Sequence, residues 1–170
     1  LVLVLLTFSP AGRVREFALI SDSLLAVKPF TLLIGITVAL LGAIISQYAK
    51  NYLKGFRFQE RFMGLTLGFT LSVLVLVASE SLIILILAWM SMGFHMSRLI
   101  GIDSRWPEAK EAGRVSGTYF IASSILLSLA IGIPAFQTGS LTLSELLKNV
   151  DRLPNTVQLL SAILLITSAV

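Results

Sequence analysis

Cysteine is absent from the 170 residues, and histidine occurs once. The first absence excludes disulfides, iron–sulfur clusters and thiolate metal sites. The second, with the carboxylates scattered along the chain, leaves too few ligands for a protein-only zinc site, and no cofactor is expected in this chain. Charge is scarce as well: only 13% of residues are charged, against 56% hydrophobic, and the mean hydropathy of +0.92 lies outside the range of ordinary soluble domains. No phosphate loop, dinucleotide fingerprint, catalytic triad or paired-carboxylate site is present, nor any repeat or low-complexity segment. The basic balance, +4 with a pI near 9.8, sits in short loops beside apolar runs. Those residues read as topology determinants rather than a phosphate-binding surface, and no nucleic-acid partner is expected.

What the chain does have is long apolar runs. From Phe62 to Gly101 only Glu80, His95 and Arg98 are ionisable, and Glu80 lies in a polar Ser79-Glu80-Ser81 notch. About 20 apolar helical residues cross a bilayer's hydrocarbon, so this stretch is too long for one helix and right for two, folded at the notch. The same reasoning predicts an all-α, polytopic bundle of transmembrane helices with the lipid bilayer as its solvent. Residues 1–24 are read as the end of a preceding span and a connector, and residues 25–134 as four spans. These are placed at about 25–48, 62–78, 81–100 and 115–133.

Pro29 falls in the first turn of the first span, where proline is tolerated, and Lys28 stands at its mouth, able to snorkel. Ser79 is the expected N-cap of the third span, with Glu80 near its positive dipole end. The fourth span carries Ser116, Gly117, Ser123, Ser124 and Ser128, small residues that permit close helix approach in lipid. Pro134 is expected to close it. Residues 135–156 form a polar connector in which Ser144 to Val150 suggests a short surface helix. Residues 157–170 read as the start of a truncated span. Since both ends lie in apolar runs and Leu1 to Phe8 lacks the features of a signal peptide, the chain is expected to be an internal fragment of a longer protein.

If the spans alternate, the loops at 49–61 and 101–114 share one face. With Arg98, that face holds eight of the Lys and Arg residues; the other face holds Arg13, Arg15, Lys28, Lys148 and Arg152. The imbalance places both loops in the cytoplasm.

Ionisable groups at membrane depth are functional candidates by default, because an unpaired charge there costs at least ~2.5–3.5 kcal/mol. His95 and Arg98, at i and i+3, share a helix face, whereas Trp89 lies on another. One reading makes His95 a proton relay held at low pKa by burial and by Arg98. The plainer reading has His95 bonding a neighbouring carbonyl or hydroxyl while Arg98 snorkels to phosphate. Glu80 is either a proton-entry group or a solvated helix-start acid. Arg105, Lys110 and Arg114 alternate with Asp103, Glu108 and Glu111, as in a solvated loop or a docking surface for a soluble partner.

Several of these residues carry a family resemblance. Leu87-Ala88-Trp89, then Gly93, then Leu99-Ile100-Gly101, with the Gly139-Ser140-Leu141-Thr142-Leu143 connector, resemble the antiporter-like proton-translocating subunits. That superfamily holds the large membrane chain of NADH-quinone oxidoreductase (chain L, or chain five) and the Mrp-type cation/proton antiporters. The resemblance extends over about residues 25–170 and implies helix-packing roles for Trp89 and Gly93. It also implies a membrane glutamate after the tryptophan, paired with a lysine on a later helix. Here that position is Met90, the lysine would lie beyond Val170, and the family's Arg-x-Gly-Asp stretch has no counterpart around Ile121 to Ser124. The Ala-Trp-x5-His-x2-Arg-Leu pattern in place of the glutamate looks like the membrane subunit of DAB-type inorganic carbon transporters.

That branch implies a large, zinc-bearing, carbonic-anhydrase-like soluble partner and a bacterial inner-membrane location. It also implies a non-catalytic chain whose ion flux drives CO2 hydration toward bicarbonate. The alternatives are a proton-pumping respiratory subunit, or Mrp-type antiporter, among respiratory complex partners, and a non-conducting membrane anchor.

Overall fold

The computed structural model describes residue 25, residues 29–103 and residues 105–169. The reading of residues 1–24 as a span end and connector, and the position of Lys28, lie outside them. Among the described residues, four helices are long and apolar enough to cross a membrane: α1 (Pro29–Tyr52), α2 (Gln59–Ala78), α3 (Leu82–Ile100) and α4 (Pro107–Thr138). A short helix, α5 (Leu143–Asn149), a 3₁₀ turn at Val150–Arg152 and α6 (Asn155–Ala169) follow. The described residues contain no strand, only two isolated bridges. The chain is an all-α, polytopic helix bundle.

Each helix packs on its successor, α1 on α2, α2 on α3 and α3 on α4, while α4 also carries α6 and α5. The faces left over are apolar and exposed: Phe30, Leu33 and Ile36 on α1, Ile83 and Leu87 on α3, and Ile121 and Ile125 on α4. A soluble bundle would hide such side chains, but in lipid they need no protein cover. A buried apolar core lies where α3, α4 and α5 meet, formed by Leu82, Leu127, Ile131 and Leu146, with Trp89 against them.

Four expectations change. The first helix runs past its expected end at Tyr48 to Tyr52, with Lys50 in its last turn, where a cation suits the negative end of the helix dipole. The fourth starts at Pro107, inside the expected loop, because Pro at its first position, Glu108 in its first turn and an Arg114–Glu111 ion pair one turn apart all favour a helix start. Its 32 residues rise about 48 Å, so its first turns project past a hydrocarbon layer of about 30 Å.

Pro134 does not end this helix. Its ring removes the hydrogen bond to the Ala130 carbonyl, yet the helix runs on to Thr138 because Pro134 is buried among neighbouring helices that hold it in place. Gly139, at a φ of 66°, is the true stop, its N–H bonding the Ala135 carbonyl. Finally, Ser79 does not cap α3. It is the C-cap of α2 and its hydroxyl donates to the Leu76 carbonyl, leaving Ser81 at the N-cap position without a side-chain bond.

Candidate functional site

The α2–α3 hairpin places a polar cluster at membrane depth. Its short link makes the two helices antiparallel, so residues equally far from the turn become neighbours. Ser72 faces Ser91, with their hydroxyl oxygens 2.8 Å apart. Gly68 faces His95, and the space a β-carbon on Gly68 would need is filled by the Nε2 edge of the imidazole. His95 Nδ1 lies 2.7 Å from the Ser91 carbonyl oxygen and 3.5 Å from its hydroxyl. Ser72 donates to the Gly68 carbonyl at 2.8 Å. Ser91 sits at the middle of α3, and His95 about 8 Å from its far end. A groove of about 420 Å³ runs along this seam and reaches His95, Ser91, Ser72 and Gly68.

Sequence reasoning singled out His95 but missed Ser72, Ser91 and Gly68. The available signal was their spacing: both pairs are symmetric about the same point, between Ser81 and Leu82 at the end of the notch. The plain expectation for His95, a bond to a neighbouring carbonyl, describes Nδ1. Nε2 makes no hydrogen bond among the described residues. Arg98, although one turn away, turns to the exposed side, its guanidinium 5.0 Å from the Phe94 ring centroid.

Glu80 is not a solvated acid. It is 8% exposed, and Oε1 accepts the Ser144 N–H at 2.9 Å. Its own carbonyl accepts the Leu143 N–H at 2.8 Å, while the Leu82 N–H donates to the Leu141 carbonyl at 3.1 Å. The notch and the 141–144 connector thus form a stapled pair, and a carboxylate supplies an acceptor at the first turn of α5. Within α5, Leu146 is buried in the core and Leu147 faces outward.

Trp89 and Gly93 lie on other faces of α3. Gly93 lets α4 approach: a β-carbon there would sit 2.7 Å from the Phe120 ring. Trp89 borders a cavity of about 490 Å³ between α3, α4, α5 and α6, whose lining also includes Ser161, Gln158 and Pro134. Trp89 Nε1 and Ser161 Oγ are buried with no hydrogen-bond partner among the described residues. Met90 is half exposed and lines a separate groove between α3 and α4.

The loop after α3 and the first turns of α4 hold the three basic docking candidates. Arg105 makes a two-pronged bond to Asp103, both contacts 2.9 Å, and lies 5.9 Å from the Phe58 ring centroid. The guanidinium's hydrogen bond holds the Asp103 carboxyl below the usual carboxylate range, and Asp103 raises Arg105 in turn. Arg114 pairs with Glu111 at 2.9 Å. Lys110 is exposed on the first turns of α4 with no ion pair among the described residues. No group of three or more His, Asp or Glu able to hold a metal occurs among the described residues.

Residues 79–170 match the family described as NADH:quinone oxidoreductase/Mrp antiporter, TM. The matched stretch starts at the notch and includes α3, Trp89, His95, the connector and α6. Over 148 residues, 87% of this chain, the sequence is 28% identical to "Probable inorganic carbon transporter subunit DabB" of Bacillus subtilis, of which it spans 28%. It is 32% identical over 103 residues, 61% of this chain, to "NADH-ubiquinone oxidoreductase chain 5" of Lumbricus terrestris, of which it spans 18%. It is 27% identical over 108 residues, 64% of this chain, to "NADH-quinone oxidoreductase subunit L" of Escherichia coli, again spanning 18% of that protein. The chain therefore covers between 18% and 28% of the length of these relatives. With more than half of its length matched, the chain belongs to the antiporter-like membrane-subunit family of NADH:quinone oxidoreductases and Mrp antiporters.

Proposed function

We propose that the chain is part of a membrane subunit that conducts protons, or another cation, to energise inorganic carbon uptake. The soluble half of the complex would be a zinc-bearing, carbonic-anhydrase-like partner on the cytoplasmic side of a bacterial inner membrane. The observation that carries this reading is Met90. Where the respiratory members are expected to hold a membrane glutamate, this helix carries a thioether that no proton can charge. The likeness across 87% of the chain to a Bacillus protein named a probable inorganic carbon transporter subunit supports the same branch. In this reading His95 relays the ion, Arg98 biases it from nearer the cytoplasm, and Lys110 with its neighbours faces the partner.

The test is growth. The full-length protein and its soluble partner, placed in a bacterium that needs elevated CO2, are expected to restore growth at ambient CO2. His95→Gln is expected to abolish that rescue at normal expression, and unchanged growth would remove His95 from the mechanism. The likeness to a chain 5 at 32% identity favours a second reading, a proton-pumping respiratory subunit. Purification separates the two: a zinc-bearing soluble subunit travels with the protein in the first, flavin or iron–sulfur subunits in the second.

A further inference from the structure

The hydrogen-bond directions around His95 decide which atom of the ring is able to take a proton. A carbonyl oxygen only accepts, so Nδ1, 2.7 Å from the Ser91 carbonyl, must carry a hydrogen. A lone pair there would face the carbonyl's lone pairs at the same distance. Ser72 gives its one hydroxyl hydrogen to the Gly68 carbonyl. The 2.8 Å contact between Ser72 and Ser91 therefore uses the hydrogen of Ser91, whose hydroxyl is then left as a second, longer acceptor for Nδ1. Every donor in the cluster is committed, and the chain of bonds ends on a backbone carbonyl. Such a chain is an orienting network, not a through-going wire.

We propose that Ser91, Ser72 and Gly68 are positioning residues that fix the neutral His95 ring with Nδ1 protonated, so that Nε2 is the proton-accepting atom, facing α2 across Gly68. This deepens the relay reading of His95 and rests on it for its functional consequence. The step is simple in its balance. A hydronium ion entering the seam gives one proton to the Nε2 lone pair and leaves as water; the ring becomes imidazolium, and the same Nε2–H bond breaks when a second water takes the proton and becomes hydronium. The Nδ1–H bond to Ser91 stays intact in both states. Gly68 is required because any β-carbon would occupy the place of the Nε2 edge, whereas Gly64, one turn away on α2, has nothing within 4 Å of its β-carbon position. The other ionisable side chains on these two helices are Arg98 on α3 and Glu60 and Arg61 in the first turns of α2.

The test is ¹⁵N spectroscopy of histidine-labelled full-length protein in lipid nanodiscs, with His95→Asn identifying the signal. The expected neutral form has a protonated Nδ1 and a bare Nε2, the reverse of the tautomer that free histidine favours in water. A neutral ring protonated at Nε2 overturns the proposal whether or not the protein takes part in carbon uptake. In proton-flux assays on the same protein in vesicles, Gly68→Ala is expected to lower flux at least about tenfold, a part of the roughly 10²–10⁴-fold that a positioned acid–base group contributes. Gly64→Ala is expected to leave it unchanged. Wild-type flux through Gly68→Ala overturns the positioning role; should that variant not fold, the wild-type spectrum decides alone. A correct tautomer with growth unaffected by His95→Gln would instead count against the relay reading.

Discussion

At the scale of single residues, Gly113 and Gly132 on α4 make opposite predictions from the same substitution. A β-carbon on Gly113 would stand 2.9 Å from the Gly101 Cα and N and 3.0 Å from the Ser97 carbonyl oxygen, backbone atoms that cannot swing aside. Gly113→Ala should therefore separate the ends of α3 and α4 and destabilise the bundle by ~1–3 kcal/mol. Gly132 has nothing within 4 Å, so alanine there should be neutral or gain up to about 1 kcal/mol of helix propensity. Thermal unfolding of the two variants in one detergent measures the difference. Asp103 offers a titration. Its folded carboxyl lies below the ordinary range because Arg105 bonds the charged form. The pair's stabilisation is thus present above the ordinary carboxylate value and lost as pH falls through the lowered one. Arg105→Ala should return Asp103 to ordinary titration by NMR, and high salt should do so partly, since the pair is solvent-exposed. Of these residues the sequence announced His95, Glu80 and the alternating charges by their chemistry. It did not announce Gly68 or Gly113, whose importance is a missing atom opposite a neighbour.

Among elements, the short helix α5 depends on a residue more than sixty positions away. Glu80 supplies the acceptor for the Ser144 N–H, and without it that donor is left in a half-buried site. Glu80→Ala should cost about 1–3 kcal/mol, whereas Glu80→Gln keeps an oxygen in place and should cost less. Hydrogen exchange at Ser144 checks both: fast exchange in the alanine variant and slower exchange in the glutamine one. Equal protection in all three proteins would show that the staple does not depend on the carboxyl group. The apolar runs predicted α2 and α3 closely, because a nineteen- or twenty-residue run bounded by polar notches has one economical conformation in lipid. They predicted α4 less well. Its charged first turns resemble a loop by composition but are held as helix by Pro107, the Glu111–Arg114 pair and the backbone contact at Gly113.

For the whole molecule, the orientation is the property most open to measurement. Lys54, in the loop between α1 and α2, and Lys148, on α5, are both exposed, on opposite sides of the alternating spans. The absence of cysteine from this chain makes single-cysteine labelling direct. Lys54→Cys is expected to react with a membrane-impermeant maleimide only from the cytoplasmic face, and Lys148→Cys only from the other. The reverse pattern would show that the basic loops do not set the topology, and would move the proposed docking face with them. Wide exposed apolar faces on α1, α3 and α4 likewise predict that the protein stays in solution only with detergent or lipid.

What the sequence determined by itself was the solvent and the count of spans among the described residues. Hydrocarbon length, the polar notch and the scarcity of charge permit few other arrangements, since every backbone polar group must find its partner within a helix. That Met90 follows Trp89, where the resemblance implies a glutamate, was equally plain, being a matter of one residue. What tertiary structure alone decided was who faces whom. Which hydroxyl meets His95, where its Nε2 points, and that Glu80 is buried against α5 rather than solvated all depend on the rotation and register of packed helices. Hydropathy cannot supply these, because the same apolar stripe is satisfied equally by lipid and by a neighbouring helix.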